Sequence, residues 1–124
     1  MSNNNRDKAT MFLTLVATGK VDEGYSTYVA ADFKHHNAYF EGSAKALRDG
    51  MKQNALENPE KTIDVKQVIA EGEFVVVHFY VRHKPGDIGA AVMHIFRFEN
   101  GKIVELWDVG QEIPKDSPNQ YGMF

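Results

Sequence analysis

Asn100-Gly101 lies between two runs of alternating apolar and polar residues, one ending at Glu99 and one starting at Lys102. An Asn-Gly pair in that setting is a strong local signal for a β-hairpin, because both residues tolerate the left-handed backbone of a tight turn. The turn length then decides which side chains share a face. A three-residue loop, Glu99-Asn100-Gly101 with Gly101 left-handed, pairs Phe98 with Lys102. His94 then faces Leu106, and Asp108 is its diagonal neighbour, within side-chain reach. That register gathers an imidazole and a carboxylate among Val92, Phe96, Val104 and Leu106. A strict two-residue turn pairs His94 with Trp107 instead and sends Asp108 to the opposite face.

A chain of 124 residues suits one domain over its whole length and can bury roughly two thirds of its unfolded surface. The net charge of -3, with Lys and Arg scattered, provides no basic footprint for nucleic acid or membrane. The absence of cysteine excludes thiolate catalysis, disulfides and Cys-ligated metals. Residues 1–6 carry no apolar signal core, and the expected location is cytoplasmic.

Residues 1–5 are polar and expected to fray. Residues 5–18 read as a helix with Phe12, Leu15 and Val16 on one face and Gly19 as a stop. Asp22 can cap a second helix carrying Tyr25, Tyr28 and Val29. Residues 33–38 are extended. Ser43 caps a third helix, with Leu47, Met51 and Ala55 at four-residue spacing, and Asn58-Pro59 ends it. The second half changes period. Residues 62–69 alternate, residues 74–83 read as a strand buried on both sides, and residues 84–89 form a loop before the hairpin. The tail from Gln111 contains Pro114 and Pro118. Helices first and a mostly antiparallel sheet afterwards indicate an α+β fold. A twisted sheet curled over a long helix leaves a concave pocket for a small apolar ligand.

Asp108 and His94 are the first candidates for chemistry. Burial on an apolar wall disfavours the charged carboxylate, so Asp108 is expected to have a raised pKa and to exchange protons with a carbon acid or an oxygen. Among the remaining histidines, His36 with Asn37 is expected to face inward, since it precedes the loop to the long helix. His78 shares a face with Val76, Tyr80 and Arg82 and is a further pocket candidate. His36, His78 and His94 lack compact ligand spacing, so no metal is expected. Asp87 reads as a turn residue.

Phe33-Lys-His-His-Asn-Ala38, Glu41-Gly-Ser43, Glu71-Gly-Glu-Phe-Val-Val-Val-His78, Pro85-Gly-Asp-Ile-Gly89, Ile95-Phe-Arg-Phe-Glu-Asn-Gly-Lys-Ile-Val-Glu105, Trp107-Asp108 and the final Gly-Met-Phe together resemble SnoaL-like proteins. The resemblance spans nearly the whole chain from about residue 6. It implies the nuclear-transport-factor-two-like fold (a cystatin-like α+β barrel). There a cone-shaped, curved antiparallel sheet wraps N-terminal helices around a deep pocket, usually in a homodimer. It implies cofactor-independent and metal-independent aldol cyclisation by acid/base catalysis. Asp108 matches the catalytic Asp of the cyclases and His94 matches a pocket His, in keeping with the three-residue loop. Leu106 departs from the His that many relatives carry before Trp-Asp, and His94 stands where many have Asp.

The leading expectation is therefore an acid/base enzyme for a small, mostly apolar carbonyl compound, without cofactor. Asp108 would act as general acid/base, His94 would polarise the carbonyl or tune Asp108, and His36, Asn37 and His78 would orient the substrate. The alternative is a non-catalytic, ligand-binding dimer of the same fold. A homodimer is expected because an outer sheet face of Met93, Ile95, Ile103 and Trp107 is too apolar to stay wet. The apolar end of the tail, residues 121–124, is expected to fold over a pocket mouth or a partner subunit.

Overall fold

The structure is a computed structural model whose backbone is described for residues 2–124 and whose side chains are described from residue 4. Its elements run α1 (Ser2–Ala17), α2 (Val21–Tyr28), β1 (Val29–His35), α3 (Ala44–Glu57), β2 (Thr62–Glu71), β3 (Phe74–Arg82), β4 (Ala90–Glu99) and β5 (Lys102–Glu112). The first helix starts ahead of its expected bound, so residues 2–5, expected to fray, are helical; residue 1 lies outside the described residues.

The five strands form one curved sheet in the order β1-β5-β4-β3-β2. All neighbours are antiparallel except β1 and β5, which run parallel. The sheet is therefore mixed, because β1 enters from the helical half of the chain and lands beside the last strand. The α+β architecture is as expected.

Helix faces and strand alternation build a single core. Ala9, Phe12, Leu13 and Val16 of α1 pack on Val75, Val77, Phe96, Phe98, Ile103 and Leu106 of the sheet. Phe12 meets Phe96 edge-on, with ring centroids 6.0 Å apart. Each such large side chain contributes about 1.5–3 kcal/mol by leaving water. The third helix starts where Ser43 Oγ accepts the Ala46 amide at 3.1 Å, and its Leu47 is buried.

Two expectations about faces are corrected. β3 is not buried on both sides: Val75, Val77, Phe79 and Val81 face the core, while Val76, His78, Tyr80 and Arg82 are only half-buried on the outer face. The helices cover one side of the sheet alone. Ile103, expected on the outer face, is fully buried opposite Phe98.

The outer face still exposes much apolar surface. Ile69 is 58% exposed, Phe74 42% and Met93 43%. The end of the tail lies on this same face, not over the pocket mouth: the Phe124 ring sits 5.4 Å from His78 and 5.3 Å from Tyr80. No described helix is long and apolar enough to cross a membrane.

Candidate active site

A cavity of about 610 Å³ opens between the inner face of the sheet and helices α1 and α3. Its walls are largely apolar, with Leu13 and Val16 from α1, Leu47 and Met51 from α3, and Phe79 and Val92 from the sheet. The polar side chains reaching it are Asn37, Asn54, Lys61, His83, His94 and Asp108, along with the Tyr39 phenol. Such a mixture of apolar wall and few polar groups is typical of small-molecule sites.

The β4–β5 hairpin places His94 and Asp108 in a way the sequence only half reveals. Glu99 pairs with Lys102 and Phe98 with Ile103, so the turn is the two-residue Asn100-Gly101. Both turn residues are left-handed, with φ of 51° and 77°. The register then shifts: Arg97 pairs with Glu105, leaving Val104 as an extra residue, and His94 pairs directly with Asp108. The expected three-residue loop is thus replaced by a tight turn plus a bulge. A two-residue turn alone would send Asp108 to the other face, and the bulge sends it back. Leu106, expected opposite His94, faces Phe96 instead.

Asp108 sits between two donors. Asn37 Nδ2 donates to its Oδ2 at 2.7 Å, and His94 Nε2 lies 3.2 Å from its Oδ1. Burial pushes the carboxyl pKa up. The nearby His94 ring with its hydrogen bond and the Asn37 amide pull it down by more, and the net position is below the usual value. The expected rise toward neutrality is therefore corrected: desolvation is real, but the donors outweigh it.

His94 is 6% exposed and wedged between aromatic rings, with Phe79 at 5.1 Å and Phe96 at 5.7 Å. Its Nδ1 is buried without a hydrogen-bond partner. Nε2 is the ring nitrogen that faces Asp108. Nδ1 is also out of a ligand's reach.

The strand β1 turns the histidine pair the other way from expectation. His35, not His36, is inward and buried. His35 Nδ1 accepts the Asn37 amide at 3.0 Å, and its Nε2 meets the Glu41 carbonyl. That pairing fixes the Nε2–H tautomer and stiffens the approach to Asn37. His36 stacks on Trp107 at 5.0 Å on the outer face, with Nε2 2.7 Å from Glu105 Oε2. Alternation along an extended strand forces this opposition. Glu105 also accepts from Arg97 Nε at 3.0 Å, and the His36 and Arg97 contacts hold its carboxyl below the usual range although its cover of side chains raises it.

His78 likewise lies on the outer face, beside Phe124, as the alternation of β3 requires. Of the three residues expected to orient a ligand, only Asn37 lines the cavity. His36 and His78 therefore do not converge with His94. Among the described residues, no group of three or more His, Asp or Glu could hold a metal ion.

Four polar cavity residues escape the sequence reading: Tyr39, Asn54, Lys61 and His83. Lys61 Nζ donates to Asn54 Oδ1 at 2.7 Å. Burial lowers the Lys61 pKa, and the nearby Asp108 charge partly restores it. The only signal was the helix stop at Asn58-Pro59, which returns the chain to the sheet beside the cavity. Asp87 caps the loop after β3, accepting the His83 amide at 3.2 Å, in keeping with a turn role.

The sequence model of the SnoaL-like domain family matches residues 9–106. A comparison with curated protein sequences gives no match. Among solved structures, AclR, a proposed hydroxylase from Streptomyces galilaeus, is similar with a TM-score of 0.77 at 20% identity, over 90% of this chain and 81% of that one. A proposed polyketide cyclase from Acidithiobacillus ferrooxidans is similar with a TM-score of 0.73 at 16% identity, over 90% of each chain. A proposed ketosteroid isomerase from Kribbella flavida is similar with a TM-score of 0.72 at 15% identity, over 96% of this chain and 86% of that one. At these identities the likeness establishes a shared fold, which many reactions use.

Proposed function

The chain belongs to the SnoaL-like domain family, and from that premise we propose that it is a cofactor-independent acid/base enzyme acting on a small, mostly apolar carbonyl compound. The reaction is aldol cyclisation or condensation, or a related proton-transfer isomerisation. The observation that carries this reading is Asp108: a carboxylate held by two donors on the wall of an otherwise apolar cavity.

Asp108 takes a proton from carbon next to a carbonyl, leaving an enolate. The enolate carbon bonds to a second carbonyl carbon, and the proton on Asp108 passes to the resulting alkoxide. Two donors make Asp108 a weak base, so the carbon acid must itself be fairly acidic, such as one between two carbonyls. Asn37 is a positioning residue that fixes one carboxylate oxygen. His94 is the other, and its buried Nδ1 assigns it to tuning Asp108 rather than touching the carbonyl.

The same donors also favour a second reading, a non-catalytic ligand-binding domain, since they stabilise Asp108 in its ionised form. The two separate in deuterated water. Proton nuclear magnetic resonance would follow C–H exchange in a panel of apolar 1,3-dicarbonyl compounds, with wild type and Asp108→Asn. Catalysed exchange that falls by about 10²–10⁴ in the variant supports the enzyme. Binding without exchange by wild type favours the second reading.

A homodimer is part of the proposal. The apolar outer face of the sheet, with Ile69, Phe74 and Met93 uncovered, supports a second copy as its cover.

A further inference from the structure

Lys61 is a half-buried cation on the cavity wall. Lys34 and Arg97 both lie against Glu105. Lys45, Lys52 and Lys66 each meet an aspartate. Lys61 lines the cavity and forms no ion pair among the described residues. Its ammonium has three donors, and only the Asn54 carbonyl oxygen accepts one of them. A half-buried cation with no carboxylate in direct contact is costly unless something else meets it.

Asn54 adds a second unused donor. Its Oδ1 is taken by Lys61, which turns its Nδ2 amide away from Lys61, and that amide makes no hydrogen bond among the described residues. An ammonium and a carboxamide side by side on an apolar wall form a cradle for a negatively charged oxygen. Asp108 shares the cavity but is already matched by Asn37 and His94. Asp108 repels an anion, so a charged ligand group is steered away from it and toward Lys61.

We propose that Lys61 and Asn54 form an oxyanion-binding subsite, so that the ligand of this cavity is an organic anion with an apolar body. The anionic oxygen, of a carboxylate or of an enolate, rests on Lys61 and Asn54. The remainder of the molecule fills the space toward Phe79, Val92 and Asp108. The assignment rests on the cavity being a ligand site, and it does not depend on Asp108 moving a proton.

Isothermal titration calorimetry with two probe pairs tests it. The first pair is 2-naphthoate and neutral 2-naphthamide, for a carboxylate source. The second is the enolate of dimedone and its neutral methyl enol ether, for an enolate source. Wild type should bind at least one anion about tenfold more tightly than its neutral partner, a preference equivalent to about 1.4 kcal/mol. Lys61→Met should erase that preference while leaving the neutral partner's affinity within about twofold, and Lys61→Arg should keep it. Lys61→Gln serves where Lys61→Met does not fold. Which pair shows the preference identifies the source of the oxyanion. Equal binding of anion and neutral partner by wild type, no binding of either anion, or a preference that survives Lys61→Met would overturn the proposal. Asp108→Asn should keep the preference and tighten anion binding, so loss of proton exchange and loss of charge preference remain separate results.

Discussion

His94 and Asp108 stand directly opposite each other on β4 and β5, with Nε2 of the imidazole 3.2 Å from Oδ1 of the carboxylate. Val104 is inserted as a bulge between a two-residue turn and the pair. Removing that one residue restores an unbroken ladder. Deletion of Val104 should therefore keep His94 opposite Asp108 and leave Asp108 in the cavity, because every other pair of the ladder is unchanged. A crystal structure of the deletion variant checks this. A variant in which Asp108 turns to the outer face contradicts it.

His94→Phe should raise the pKa of Asp108. The ring fits among Phe79 and Phe96 but supplies no donor, so burial acts with less opposition. The buried, unpartnered Nδ1 disappears as well, which offsets part of the stability lost with the contact. The pH profile of catalysed C–H exchange should shift its acidic limb upward. An unchanged limb means that His94 does not tune the carboxyl.

Asn37→Asp should place a like charge 2.7 Å from Asp108 and raise one pKa of the coupled pair by a unit or more. Asn37→Ala removes a donor without adding charge and should shift it less. Titration of the carboxyl carbons by nuclear magnetic resonance distinguishes the two.

Because its folded pKa is depressed, Asp108 adds stability above the unfolded value of about 3.9, and that stability is lost as pH falls through the folded pKa. The stability difference between wild type and Asp108→Asn should therefore shrink toward acid pH. Urea unfolding measured from pH 7 down to about pH 3 checks the sign. A difference that grows toward acid would mean a raised pKa.

Gly50→Ala should lower the melting temperature, although alanine is the better helix former by about 1 kcal/mol. A Cβ at position 50 would lie 2.4 Å from Phe40 Cε1, and Phe40 is a wall of the cavity. In a Phe40→Ala background the same change should be neutral or stabilising, which calorimetry of the double-mutant cycle reads directly.

Much of the architecture was legible because it follows from period and punctuation. Ser43 caps α3, Asn100-Gly101 turns the hairpin, and alternation marks β2 to β5. The parity of His94 and Asp108 was legible, but the route to it was not: the bulge at Val104 carries no glycine or proline to announce it. His36 and His35 could be assigned opposite faces from the sequence, yet which one faced inward depended on the pairing of His35 with Leu106. That contact joins residues far apart in the chain. His78 was grouped with the correct neighbours on β3, but no local signal told which face the helices cover. Lys61 was missed because its environment is set by α3 and the sheet together. The Asp108 pKa was misjudged for the same reason: burial is visible in an apolar strand, whereas the Asn37 donor arrives from another element.

The proposed chemistry requires Asp108 to be an ionised carboxylate that faces the cavity. Its carboxyl carbon, labelled and titrated by nuclear magnetic resonance in the free protein and with an apolar ligand filling the cavity, measures this most directly. The expected result is a pKa below the usual aspartate value when free, and a rise on ligand binding, because the ligand removes water while the donors stay in place. An ordinary pKa that does not respond to the ligand would contradict it.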